Sequence, residues 1–272
     1  MLARARSGSA RLHLEPGKWN RQDIADTIAL MARRNDRNPG SRTLIGIDCN
    51  FGYAREIAIR QFGQNYIYKD LWERVEEICQ DQSDFYASEF WHHPDFAPYF
   101  WTRGQKPQDL ALTRRITEQS CKEQGVGVPE SPFKLIGPKQ VGKGGLSGMR
   151  MAHYLKNRYP EQIAIWPFEF EQAARAPIVI TEIYPRLFIR KAGLGNAKVS
   201  QRAYLKEALE FYNTDMPCLT ETFTDHKSDA LIAAAGLRSI CGHGPDIPAS
   251  LSSPSGLDPV YARTEGWIFG VT

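Results

Sequence analysis

At 272 residues, with 42% apolar side chains and a net charge of +3, the chain is long enough to bury a sizeable core. No apolar run approaches the roughly 20 residues of a membrane-spanning helix, and the basic first residues lack the apolar stretch of a secretory signal, so a cytoplasmic location is expected. Cys49, Cys79, Cys121, Cys218 and Cys241 are odd in number and contain no C-x-x-C pair. That argues against a disulfide framework and a structural zinc site, and for reduced, mostly buried thiols.

Residues 1–19 read as a loose tail with one short strand at 10–14. Asn20 is a good N-cap for a helix over 21–34, which Asn38-Pro39-Gly40 stops. Residues 43–47 form a short β-branched run suited to a strand buried on both faces, ending in Asp48 and a loop-type sequence through Gly52. Open α/β sheets bind ligands at the carboxyl ends of such strands. The plainer alternative is that Asp48 caps the next turn.

A helix is predicted over 70–80. Residues 82–104 form an aromatic-rich insertion, with eight aromatics between 85 and 101 beside His92 and His93. Such a segment reads as packed onto the core, the sharper alternative being a lid or a surface for stacking bases. The His pair lacks partners at metal-ligand spacing.

Another helix is predicted over 110–123. Between residues 102 and 158 stand eleven lysines or arginines against four acidic residues, a face for polyanions or simply a solvated one. Gly137-x-x-x-x-Gly142-Lys143-Gly144 matches a phosphate loop except at its last position, where a Ser or Thr hydroxyl would meet the nucleotide's magnesium. Gly144 has no hydroxyl, so no ATP is expected. What remains is a Lys-bearing loop at a helix amino end, with Lys143 and Arg150 nominated to hold backbone phosphate.

Residues 162–166 suit an edge strand and 177–185 a clearer one, bearing Glu182 and closed by Pro185. A buried Glu needs a partner, either a basic side chain or a cation. Helices follow over 201–212 and 224–240, the second capped by Thr222 or Thr224. Asp225 and Asp229 share one face of it, although Asp225 also suits simple dipole compensation. A Pro/Ser-rich connector at 244–256 leads to a last strand at 267–271. No repeat or long linker divides the chain, so residues 1–272 read as a single domain of α/β class.

Asp48, Glu182, Asp225 and Asp229 thus fall at the ends of three elements. Gathered together they would repel one another unless cations neutralised them, and oxygen donors select Mg2+ or Mn2+. Such ions serve phosphodiester cleavage, so a metal-dependent nuclease acting on DNA or RNA is the expectation.

The segments IGIDCNFGYA (45–54), RRITEQ (114–119), GPKQVGKGGLSGMR (137–150), TEIYPRL (181–187), SDALIAAAGL (228–237) and EGWIFGV (265–271) resemble the family called domain of unknown function 429, described as predicted RNase H-like nucleases. The resemblance implies an RNase H-like mixed sheet flanked by helices on both faces, with metal-binding carboxylates at Asp48, Glu182 and Asp229. His226-x-x-Asp229-Ala230 is similar to the final-helix motif of some Holliday-junction resolvases, which nominates His226 as auxiliary ligand or base. The family's first strand carries its own Asp before a hairpin, and residues 1–40 contain no such strand. The chain is therefore expected to begin late or to have lost part of its metal site, and the alternative function is a catalytically weakened nucleic-acid-binding or interaction protein on the same fold.

Overall fold

The computed structural model describes residues 1–35, 42–107, 109–137, 139–195, 199–217, 224–242 and 258–272. The predicted connector at 244–256, Cys218 and Thr222 lie outside the described residues.

The protein is mixed α/β, with a small parallel sheet and an antiparallel pair flanked by helices. Strands β1 (Ala3–Ala5) and β2 (Leu12–Leu14) form the antiparallel pair. Strands β3 (Thr43–Ile47), β4 (Ile163–Trp166) and β5 (Ile178–Glu182) form the parallel sheet in the order β3-β5-β4. The central strand β5 is buried at every position, consistent with its apolar, β-branched sequence.

Alternation along the strands assigns each side chain to a layer. Ile45, Ile163, Ile165, Ile178 and Ile180 join one core, with helices α1 (Arg21–Asn35), α2 (Arg55–Phe62), α3 (Tyr68–Cys79), α4 (Ser88–His92) and the long α6 (Val141–Arg158). Leu44, Ala164, Trp166 and Val179 join the other, with α8 (Pro185–Lys191), α9 (Arg202–Phe211) and α10 (Asp225–Cys241). Helices therefore cover both faces. The short α5 (Ile116–Glu123) and α7 (Phe170–Ala173) and the late α11 (Pro259–Glu265) complete the described helices.

Several elements depart from their sequence reading. Residues 1–19 are not a loose tail: the β1–β2 hairpin packs on α10 and buries Leu12. Arg238 of α10 holds it there, donating to the Ser9 carbonyl and to the carbonyls of Tyr212 (2.6 Å) and Asn213 (2.7 Å). The helix expected over 110–123 is a 3-10 turn (Leu110–Thr113), then an extended Arg115, then α5. Pro185 does not merely end β5 but occupies the first turn of α8, where its missing N–H costs nothing. The strand expected at 267–271 shrinks to one bridge, Glu182 with Ile268, because the chain turns at once through Gly270 (φ 89°). The aromatic insertion packs onto the core: Phe90, Phe96 and Phe100 are buried, and the Phe90 and Phe96 rings stack with centroids 4.2 Å apart.

Of the phosphate-loop pattern Gly142 serves packing, as do Gly145 and Gly148 that follow it. Gly142, Gly145 and Gly148 lie three apart on one side of α6, and a methyl group on each would meet the Pro132 carbonyl at 2.5 Å, Asn50 Oδ1 at 2.0 Å and Cys49 Sγ at 2.2 Å. The loop after β3 thus lies directly against the helix backbone. Gly144 faces open space. Gly145→Ala is accordingly expected to destabilise the protein by about 1–3 kcal/mol through overpacking. Gly144→Ala is expected to stabilise it by about 0.5–1 kcal/mol through helix propensity. Urea denaturation of the two variants checks both signs.

Candidate functional site

Asp48 follows the last residue of β3, at the carboxyl edge of the parallel sheet. Its place in the alternation puts it on the α10 side: Gly46, two residues earlier, lies under Ile183 and Leu237 of that layer. Asp229 lies in the second turn of the same helix, whose start Thr224 caps by accepting from the Lys227 N–H at 3.3 Å.

The two carboxylates feel one another. Asp48 is pushed up from 3.8 to about 7, first by burial of its surroundings and then by the charges of Asp229 and Glu182. Its side chain still reaches solvent, which screens part of this effect. Among the described residues none donates a hydrogen bond to it. Asp229 is also raised, chiefly by burial, with Arg186 and His226 opposing and Asp225 reinforcing the shift. Asp225 and His226 are exposed on the first turn of α10.

Glu182 behaves differently, and the geometry corrects its expected place among the metal ligands. It is register partner to Ile47 and shares the layer of Ile178 and Ile180, so it points to the opposite face of the sheet from Asp48. There its carboxylate takes a bidentate pair of bonds from Arg115, Nη1 to Oε2 at 2.8 Å and Nη2 to Oε1 at 2.6 Å. Of the two partners the sequence allowed, it has the basic side chain. Arg115, wholly buried, also donates through Nε to Glu118 at 2.9 Å and through Nη1 to the Glu265 carbonyl at 3.0 Å. Burial outweighs the arginine at Glu118, whose carboxyl rises to about 7. The Glu265 carboxylate accepts the first N–H of α2 (Arg55, 2.7 Å) and of α5 (Ile116, 2.8 Å), capping two helices at once.

Among the described residues no group of three or more His, Cys, Asp or Glu side chains is placed to hold a metal ion. Asp229 and Glu182 both act on Asp48 through their charge, Asp225 and His226 act on Asp229, and Glu182 is bound to Arg115. Arg150, nominated for phosphate, is buried and engaged by Glu76 (2.7 Å) and by the carbonyls of Gln82 (3.1 Å) and Tyr86 (2.5 Å). Lys143 stays at the surface, its ammonium 5.8 Å from the Trp91 ring centroid. His93 stands near Asp95 (3.8 Å) rather than in a metal cluster.

Sequence reasoning passed over Arg186 and Tyr184. Both follow β5, and Arg186 lies close enough to Asp229 to favour its ionised form. The signal was the basic residue four positions past the strand end, hidden by treating Pro185 as a stop.

These features define a mixed α/β protein with an acidic edge at the carboxyl end of a parallel sheet. The chain matches no family model, no curated protein and no solved structure. No described helix is long and apolar enough to cross a membrane.

The folded protein holds the Asp48 proton more tightly than the unfolded chain does. That contribution to stability is complete below about pH 4 and is lost as pH rises towards 7. Asp48→Asn, which keeps a neutral side chain, is expected to be more stable than the parent at pH 8, by on the order of 1 kcal/mol after solvent screening. The difference should vanish at pH 4. Denaturant titrations at the two pH values measure it.

Proposed function

We propose that the protein is an RNase H-like, divalent-metal-dependent nuclease of the domain of unknown function 429 type, acting on DNA or RNA in the cytoplasm. The observation that carries this reading is the position of Asp48 at the carboxyl end of β3, on the side of the helix that bears Asp229, both carboxyls being raised chiefly by burial. Strongly perturbed carboxylates in such a place are candidates for function. Magnesium keeps several waters and is usually held by only one or two carboxylates with substrate phosphates, so this oxygen pair suits Mg2+ or Mn2+. When bound, the ion would neutralise charge developing on a phosphodiester.

The residues of the chain have distinct parts in this reading. Asp48 and Asp229 would hold the ion, and Asp225 would add outer negative charge. His226, exposed three residues before Asp229 on α10, would serve as the auxiliary ligand or base. Glu182 contributes by fixing β5 through Arg115 rather than by ligation.

That last point favours a second reading, a catalytically weakened nucleic-acid-binding or interaction protein on the same fold. Withdrawal of Glu182 into the arginine network leaves a thinner donor set than three carboxylates would offer.

The test is cleavage of labelled single- and double-stranded DNA and RNA with Mn2+ or Mg2+. Asp48→Asn and Asp229→Asn are each expected to lower the rate at least about 100-fold while remaining folded. Glu182→Gln is expected to lower the midpoint of unfolding instead. Mn2+ affinity, measured by calorimetry, is expected to tighten between pH 6 and pH 8 as Asp48 gives up its proton. Parent protein that takes up no Mn2+ at millimolar levels and cleaves nothing selects the second reading.

A further inference from the structure

The net positive stretch between residues 102 and 158 is partly internal. Arg115 and Arg150 are buried, Arg114 donates to the Pro129 carbonyl, and Lys156 is tied to Gln172 and Glu169. Of those that remain outside, Lys122 on α5 and Arg158 at the end of α6 stand apart, whereas Lys106 and Lys134 gather at Trp101. Trp101 runs beside residues 133–135, donating to the Phe133 carbonyl (2.9 Å) and accepting from the Leu135 N–H (3.0 Å). Two ammonium groups lie over its half-exposed ring, Lys106 at 5.4 Å and Lys134 at 5.6 Å from the centroid. The Lys134 carbonyl then accepts the Gly142 N–H at 3.1 Å, joining this ledge to the first turn of α6 and Lys143. Lys139 lies between them, exposed.

The ledge is joined through α6 to the loop that follows β3. Gly145, one turn further along α6, is the residue against which Asn50 packs, and Asn50 is two residues from Asp48. The one described acidic group paired within the ledge is Glu130, which meets Lys134 at 2.9 Å. Arg103, Lys106, Lys139 and Lys143 form no ion pair among the described residues. Cations held around one accessible indole offer two things together, charge for phosphates and a flat π-surface for a base. A duplex presents the first but keeps its bases stacked away from the second.

We propose that the ledge formed by Trp101, Arg103, Lys106, Lys134, Lys139 and Lys143 is a binding track for single-stranded nucleic acid. This extends the nucleic-acid part of the reading above and does not depend on its chemistry. A base stacks on Trp101, displacing one lysine from the ring, and the lysines follow the backbone.

The experiment uses the full chain in EDTA, so that no hydrolysis intervenes, with fluorescein-labelled thymidine and uridine oligomers of about 12 nucleotides and a duplex of the same length, read by anisotropy. Either single strand is expected to bind at least about ten-fold more tightly than the duplex. The two oligomers distinguish DNA from RNA. Trp101→Ala is expected to weaken binding about ten-fold. Lys106→Ala with Lys139→Ala, both at exposed positions that leave the fold intact, is expected to reduce the salt slope by about two. Equal affinity of parent and double variant at every salt concentration, or preference for the duplex, overturns the proposal. Binding without cleavage on later addition of Mn2+ would remove the nuclease reading and leave the track standing. Cleavage that the ledge variants do not affect would do the reverse.

Discussion

The guanidinium of Arg115 is the point through which separate parts of this fold are joined. It reaches β5 through Glu182, the first turn of its own helix through Glu118, and the late chain through the Glu265 carbonyl. Two carboxylates against one guanidinium leave an excess of negative charge in a space almost closed to water. Burial explains first why Glu118 and Glu265 both hold protons more tightly than usual, with Glu182 adding to it at Glu118 and Glu56 at Glu265. A buried charge cluster of this kind adds little net stability over an apolar substitute, but removing one member leaves the others unpaired. Its effect is to make the joined parts mutually dependent.

The same network decides what the acidic residues can do. A strand sends successive side chains to opposite faces, and Asp48 and Glu182, one register step apart in neighbouring parallel strands, therefore face different layers. Asp48 meets α10 and Asp229, whereas Glu182 meets Arg115. The acids divide into a structural set and a set at the rim, and only the second is open to solvent and ligands.

Much of this order was visible in the residues themselves. The β-branched runs before Asp48 and through Glu182 identified the two paired strands, and the Thr224 cap and small residues of α10 marked a helix that packs closely. The demand that a buried Glu find a partner was sound, but the partner lies 67 positions away in a segment that reads as continuous helix. Only the extended backbone at Arg115, required for its side chain to turn inward, breaks that pattern. Gly142 was equally ambiguous. Close packing and phosphate cradling both call for glycine, and the helix's neighbours, not its own sequence, distinguish the two. The hairpin at the start was missed because strands of three residues carry too little periodicity to register.

The double cap by Glu265 bears on how the molecule is made. Its two N–H donors precede it by 210 and 149 positions, so neither α2 nor α5 has its native acceptor while those segments leave the ribosome. Loops of that span close slowly, and the early helices must wait with frayed entrances until residue 265 arrives. A chaperone acting on this chain would meet it in that interval.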